Sequence, residues 1–133
     1  MHVLNLSCPP IQCVRIGIIG LGNRGFDTLK RLVVVEGVRI AALCDLSRPN
    51  LDRATGFLEE RGIERPILKH HWTDICRSQD IDLVMVCTDW QSHTLIAVEA
   101  MRNGKHVAIE VPAAMTVDDC WALVDTAEST RRH

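Results

Sequence analysis

The sequence predicts an α/β protein built on an open, doubly wound parallel sheet in a single domain. Three observations carry that expectation. From Val14 onward, short apolar runs alternate with amphipathic stretches, which is the rhythm of βαβ units. A Gly-x-Gly-x-x-Gly stretch, Gly20-Leu21-Gly22-Asn23-Arg24-Gly25, lies directly between the first run and the first amphipathic stretch. The second run closes on an acid, Asp45. The chain has 133 residues, and at roughly 100 to 200 residues per domain that fits one domain and leaves little room for another.

Residues 1–13 contain Pro9 and Pro10 and show no hydrophobic period, so they read as an N-terminal leader lying on the surface. The domain proper is 14–133. Val14 to Ile19 is continuous and rich in β-branched residues, as a parallel strand covered on both faces requires. Phe26, Leu29, Leu32 and Val33 then recur at helical spacing until Gly37 ends the pattern. Val38 to Cys44 is a second strand, apolar apart from Arg39. Ser47 and Pro49 suit the cap and first turn of a helix running from about Asn50 to Arg61. Ile67 to Trp72 reads as a weaker third strand, followed by a helical turn that Thr73 and Asp74 open.

Ile81 to Cys87 is the fourth strand. Ser92 stands where a cap would for a helix carrying Leu95, Ile96, Val98 and Met101, and Gly104 is its terminator. His106 to Ile109 is the fifth strand and ends at Glu110. Pro112 breaks the pattern, and Thr116 with Asp119 has the spacing of a capping box opening a last helix through Trp121, Val124 and Ala127. Right-handed crossovers place these five strands in one sheet whose ligands bind at the strand C-termini.

Composition narrows the partners. The 47% hydrophobic content suits a domain that can bury about two thirds of its unfolded surface. Lys+Arg number 15 against 17 Asp+Glu, a net charge of −2, with no basic stripe to neutralise a phosphate backbone, so nucleic acid is not expected as a partner. Membrane insertion is not expected either, since no apolar run reaches the ~18 residues needed to span a bilayer. Residues 1–13 lack the basic start and cleavage pattern of an export signal, so the expected location is the cytoplasm. The six cysteines, Cys8, Cys13, Cys44, Cys76, Cys87 and Cys120, form no CxxC pair, and four sit inside apolar runs or helical patterns. Small buried thiols in a reducing compartment are expected, with no disulfide and no metal. His70 and His71 are adjacent, and strand neighbours point to opposite faces, so the two cannot share one ion.

The glycine motif gains meaning from its context: a buried strand before it, a helix after it, and Asp45 at the end of the next strand, 20 residues beyond Gly25. This is the Rossmann-type arrangement for a dinucleotide. Gly20 permits the tight turn, Gly22 lets backbone approach a pyrophosphate, and Gly25 lets the helix pack on the strand. The helix N-terminus, with Asn23 and Arg24 in its first turn, then meets the phosphates with unpaired N–H groups. The Arg24 side chain either faces solvent or reaches a phosphate. Asp45 would accept the adenosine ribose hydroxyls in charge-assisted bonds contributing about 1.5–3 kcal/mol each. It would repel a 2′-phosphate some 4 Å away by several kcal/mol at an effective dielectric near 20. NAD is therefore expected over NADP, with Arg48 offsetting part of the repulsion.

Two further clusters fall at strand C-termini facing the same crevice, Cys87-Thr88-Asp89-Trp90-Gln91-Ser92-His93 and Glu110-Val111-Pro112-Ala113-Ala114. An acid at an apolar strand end is costly unless used, which marks Glu110. His93, beside a helix start, either packs there or touches the cofactor or substrate. Trp90 either stacks on a nicotinamide or a sugar or belongs to an interface, whereas Trp72 and Trp121 read as packing.

Across Val14 to His133 the chain resembles the Gfo/Idh/MocA oxidoreductases, in the order VRIGIIGLGNRG, then Cys44-Asp45, then Thr88 to His93, then NGKHVAIEVP at Asn103 to Pro112. The resemblance implies that the Thr88 backbone and His93 line the dinucleotide, matching a family pattern T-P-x-x-x-H in which Asp89 here replaces the proline. It implies that Glu110 lies beside the nicotinamide ribose. The family's usual E-K-P is here Glu110-Val111-Pro112, and a valine in place of the lysine cannot transfer a proton. The EVPAA, DDCW and Arg131-Arg132-His133 segments are most similar to the NAD-dependent glycoside hydrolases typified by α-N-acetylgalactosaminidase, glycoside hydrolase family 109. That branch implies transient oxidation of the sugar by tightly held NAD, elimination at the acidified neighbouring carbon, and return of hydride. Its acid and base groups lie in a second domain, so the resemblance implies the cofactor half of such an enzyme, with no catalytic residue assigned here and a sugar as partner only when that domain is present. A half without its cover would expose its crevice and associate with copies of itself. The alternatives are a stand-alone nucleotide-binding module without catalysis and the N-terminal half of a plain NAD-dependent sugar dehydrogenase.

Overall fold

In the computed structural model, which describes residues 7–133, the five apolar runs lie side by side as one parallel sheet. In chain order the elements are β1 (Val14–Ile19), α1 (Asn23–Leu32), β2 (Val38–Cys44), α2 (Arg48–Glu59), β3 (Ile67–Lys69), α3 (Trp72–Arg77), β4 (Leu83–Val86), α4 (His93–Arg102), β5 (His106–Ile109) and α5 (Val117–Thr130). The strand order is β3-β2-β1-β4-β5, and every neighbouring pair is parallel. Winding runs outward from β1 in one direction and then from β4 in the other. The reversal leaves a crevice above the C-termini of β1 and β4, where open α/β sheets bind their ligands.

Helices cover both faces, as the continuous apolar strands require. Ile16, Ile18, Ile40 and Leu43 point to one side and pack with Leu29, Leu51 and Leu58 of α1 and α2. Ile19, Ala42, Cys44, Val84 and Val86 point to the other and pack with Ile75, Cys76, Ile96 and Ala100 of α3 and α4. Each fully buried leucine or isoleucine contributes about 1.5–3 kcal/mol by leaving water. Gly17 lets this second layer close, because a Cβ there would stand 2.7 Å from Ile75 Cγ2 and 2.8 Å from Ile81 Cδ1. At the end of the sheet away from the crevice, Arg15 Nε and a terminal guanidinium nitrogen donate to the two Asp82 carboxylate oxygens at 2.9 and 2.7 Å. The Arg15 hydrogen bond holds the Asp82 carboxyl below its usual range, against the opposing effect of burial.

Several boundaries differ from the sequence expectation, and α1 and α2 end early, at Leu32 and Glu59. The third strand stops at Lys69, because it is an edge strand paired only with Ala42–Cys44 and β2 turns away at Asp45. Residues 70 and 71 therefore form a short loop at the strand C-terminus, and Trp72 opens α3. The fourth strand is the shorter Leu83–Val86, and α2 begins at Arg48. Ser47 is the N-cap of α2, yet its side chain makes no capping bond among the described residues. Thr116 and Asp119 do form the expected capping box, with Asp119 N–H donating to Thr116 Oγ1 at 3.1 Å. Cys120 lies on the exposed face of α5, whereas Cys44 and Cys76 are in the core. Within the expected leader, residues 7–13 are exposed and without regular structure, and 1–6 lie outside the described residues. Among the described residues no helix is long and apolar enough to cross a membrane.

Candidate dinucleotide site

The crevice is built from the glycine loop upward. Gly20 follows β1 with φ +89, and a Cβ there would stand 2.5 Å from the Cys87 carbonyl oxygen, so the turn accepts only glycine. Its N–H donates to Cys44 O at 2.8 Å, and Cys87 N–H donates to Ile19 O at 2.8 Å, fixing the loop to both flanking strands. A Cβ on Gly25 would run into the Gly20 carbonyl, so only glycine lets α1 sit directly on the turn. At Gly22 a Cβ would meet nothing within 4 Å. That bare stretch of backbone lines a cavity of about 400 Å³.

Gly22 is also the N-cap of α1, with no side-chain cap among the described residues and no acid in the helix's first turn. The first N–H groups of α1, from Asn23 onward, therefore keep their hydrogen-bonding capacity and the positive end of the helix dipole for an anion. This fits a pyrophosphate. Arg53 of α2 stiffens the loop from the side, donating to Leu21 O at 2.8 Å and to Gly22 O at 3.3 Å while its guanidinium lies 4.4 Å from the Phe26 ring centroid.

Asp45 stands at the end of β2 with its carboxylate held in place. Oδ2 accepts the Leu21 N–H at 2.6 Å and the Asn50 amide at 3.3 Å, and Oδ1 accepts the Ser47 N–H at 2.7 Å. Arg48 is turned along its own helix to Asp52, with Nε 2.8 Å from Oδ1. Leu46, Asn50, His70 and Trp72 complete this side of the cavity. Sequence reasoning missed Asn50, His70 and Trp72 as site residues. The last two were absorbed into a strand that ends before them, and Asn50 carried the only local signal, lying five residues after the acid.

On the other side stand Cys87, Thr88, Asp89 and Ser92. Asp89, which the resemblance marks as a departure from proline, stiffens the loop by another means. Its Oδ1 accepts the N–H groups of Gln91 and Ser92, each at 3.1 Å, and its Oδ2 accepts the Ser92 hydroxyl at 2.9 Å. The Ser92 hydroxyl bond is the main reason that the Asp89 carboxyl sits below its usual range. The Ser92 hydroxyl also reaches Thr88 Oγ1 at 2.7 Å.

His93 is 1% exposed. Nδ1 lies 2.8 Å from Pro112 O and Nε2 lies 3.1 Å from Thr88 O, so the ring joins the β4 loop to the β5 loop. Glu110 directly follows β5, and Arg24 of α1 lies across from it with Nε 3.9 Å from its Oε2. Trp90 is 59% exposed and borders a separate shallow depression with Thr88, Asp89, Gln91 and Met115. Burial pushes the Cys87 thiol up to about 11, with the Glu110 charge adding to the effect, so it is not a ready nucleophile.

A bare helix N-terminus over a glycine turn, an oriented acid at the next strand end and a crevice at the sheet's reversal define a dinucleotide-binding Rossmann domain. The family model for the Gfo/Idh/MocA oxidoreductases, described as an oxidoreductase family with an NAD-binding Rossmann fold, matches residues 14–133. The chain belongs to that family, as its NAD-binding domain. It is 53% identical to glycosyl hydrolase family 109 protein 2 of Phocaeicola vulgatus, covering 99% of this chain and 33% of the relative. It is 54% identical to an α-N-acetylgalactosaminidase of Bacteroides fragilis, covering 99% and 32%. Among solved structures, biliverdin reductase from Synechocystis, in complex with biliverdin and NADP+, superposes with a TM-score of 0.78 at 26% identity, over 90% of this chain and 36% of that one. Myo-inositol 2-dehydrogenase from Lactobacillus plantarum gives 0.77 at 25% identity, over 89% and 34%. The chain thus spans about a third of the length of these relatives.

Proposed function

We propose that this chain is the cofactor half of an NAD-dependent glycosidase that cleaves by transient sugar oxidation and elimination. The observation that carries the reading is the end of β5. Glu110 is held beside the glycine loop by Arg24 and is followed by Val111, which is 80% exposed and has no proton to give or take. The identity of 53–54% to glycoside hydrolase family 109 relatives supports the same branch. When bound, NAD takes up hydride from a sugar carbon and returns it.

The residues of this chain bind and orient. The first N–H groups of α1, with Asn23 and Arg24 in that turn, hold the pyrophosphate. Asp45 accepts the adenosine ribose hydroxyls, and Thr88 and Glu110 border the nicotinamide end, with Trp90 at the outer rim. Arg48, engaged by Asp52, is not turned toward a 2′-phosphate, which supports NAD over NADP. The acid and base for elimination come from outside these residues.

The test uses the full-length protein and an aryl α-N-acetylgalactosaminide. Release should stop when NAD is stripped and return when it is added back, with no net NADH. Release that ignores NAD removal overturns the reading. Net NADH accumulating with a free sugar would instead favour a plain sugar dehydrogenase, and NAD binding with neither activity a stand-alone module.

A further inference from the structure

A second cluster of reactive side chains lies at the end of the sheet opposite the crevice. His106 opens β5, 9% exposed, one strand length from Glu110. His133 follows α5 and is fastened beside it: its carbonyl accepts the Val107 N–H at 2.7 Å, and its own N–H donates to His106 Nδ1 at 3.1 Å. The two imidazoles stack, with centroids 5.3 Å apart and planes 28° from parallel. Cys8, exposed in the segment ahead of β1, completes the group. One ligand atom from each of the three residues lies within 4.8 Å of the others.

We propose that Cys8, His106 and His133 form a site for a borderline-soft divalent cation of the zinc type, with water as the fourth ligand. One thiolate and two imidazoles are the donor set such ions prefer over oxygen-seeking Mg²⁺ or Ca²⁺. Zn–S and Zn–N bonds of about 2.3 and 2.0–2.1 Å place tetrahedral ligand atoms roughly 3.3–3.6 Å apart. Closing the cluster therefore takes about 1 Å of side-chain movement, well within reach of an exposed cysteine. The His106 ring already offers a lone pair at Nδ1, because that nitrogen accepts the His133 N–H; coordination there replaces one long hydrogen bond.

Charge decides which ligand matters most. Arg132 adjoins the cluster and its positive charge acts on the His106 ring, so two neutral imidazoles alone would hold a dication poorly. The Cys8 thiol gives its proton to solvent on binding, and the resulting thiolate offsets that charge. The bound ion would clip the segment before β1 to the start of the edge strand and to the exit of α5. This inference is independent of the dinucleotide reading, since the two sites lie at opposite ends of the sheet.

Cobalt(II) serves as the spectroscopic probe, titrated into the full-length protein under reducing conditions. The expected result is a thiolate-to-metal charge-transfer band with tetrahedral visible bands, saturating at about one equivalent and bleached by added zinc. Cys8→Ser should abolish the charge-transfer band, and His106→Gln or His133→Gln should each weaken binding by at least about tenfold. Two histidine variants are used so that a folding defect in one, read by circular dichroism, leaves the other decisive. Absence of the band, or a band that survives Cys8→Ser and so belongs to Cys13 or Cys120, overturns the proposal.

Discussion

Asp45 Oδ2 accepts the backbone N–H of Leu21 at 2.6 Å. The acid at the end of β2 is thus fastened to the glycine loop that follows β1. With Ser47 N–H on Oδ1, the carboxylate is oriented before any ligand arrives and keeps lone pairs for hydroxyls. Preorganisation of this kind lowers the cost of ordering a side chain on binding.

Replacing Asp45 by Ala removes the acceptor proposed above for the ribose hydroxyls. Charge-assisted bonds of about 1.5–3 kcal/mol correspond to a loss of roughly tenfold to a hundredfold in NAD affinity. NADP affinity should stay level or rise, because the repulsion of its 2′-phosphate goes with the carboxylate. Fluorescence titration measures both, since Trp72 lines the cavity. Equal losses for the two nucleotides would remove Asp45 from the ribose.

Arg53 makes a different prediction, because it acts through the loop. Its donation to Leu21 O and Gly22 O and its stacking on Phe26 hold the glycine turn in the shape that presents N–H groups outward. Arg53→Ala should weaken NAD and NADP alike by about fivefold, with about 1 kcal/mol lost in stability. Arg53→Lys should recover only part of the loss, since an ammonium can donate to the carbonyls but does not stack on Phe26 as a plane. Full recovery with lysine would mean that charge alone matters.

Acid stability follows from Arg15 and Asp82. The folded-state carboxyl of Asp82 sits below its usual range because of Arg15. A lowered folded value means that the stabilisation is complete above the unfolded carboxylate value and is lost as pH falls through the folded one. Hydrogen bonds to charged groups contribute about 1.5–3 kcal/mol, and the partial exposure of Arg15 brings the expected cost of Asp82→Asn to about 2 kcal/mol near neutral pH. Urea unfolding of both proteins from neutral pH into acid should show that gap closing. A gap that stays constant in acid would deny the ion pair its role.

Much of this was readable along the chain. Strands β1, β2 and β5 have the expected bounds because their apolar runs are continuous and end in glycine or an acid. The glycine loop and Asp45 were legible because strand, turn, helix and acid follow one another at fixed spacing. What local pattern hides is what the sheet brings together. His70 and Trp72 enter the cavity only because an edge strand stops where its partner turns away, a fact about pairing. Arg53 reaches the glycine loop across two helices, 31 and 32 residues from its acceptors. Cys8, His106 and His133 meet from three distant parts of the chain, so no spacing could announce them.

His93 separates a brace from a contact residue. With both ring nitrogens on carbonyls and 1% exposure, it ties the loop after β4 to the loop after β5, helped by Thr94 Oγ1 donating to Ala113 O at 3.3 Å. His93→Ala leaves a cavity and removes the ring that bridges the Pro112 and Thr88 carbonyls, at a cost of about 2–4 kcal/mol in stability. The Thr88 and Glu110 loops then lose their fixed separation, and NAD affinity falls by about tenfold as a secondary effect. Thermal unfolding and cofactor titration on the same variant distinguish the two roles. A drop in both measures the brace, whereas unchanged stability with lost affinity would place the imidazole against the cofactor itself.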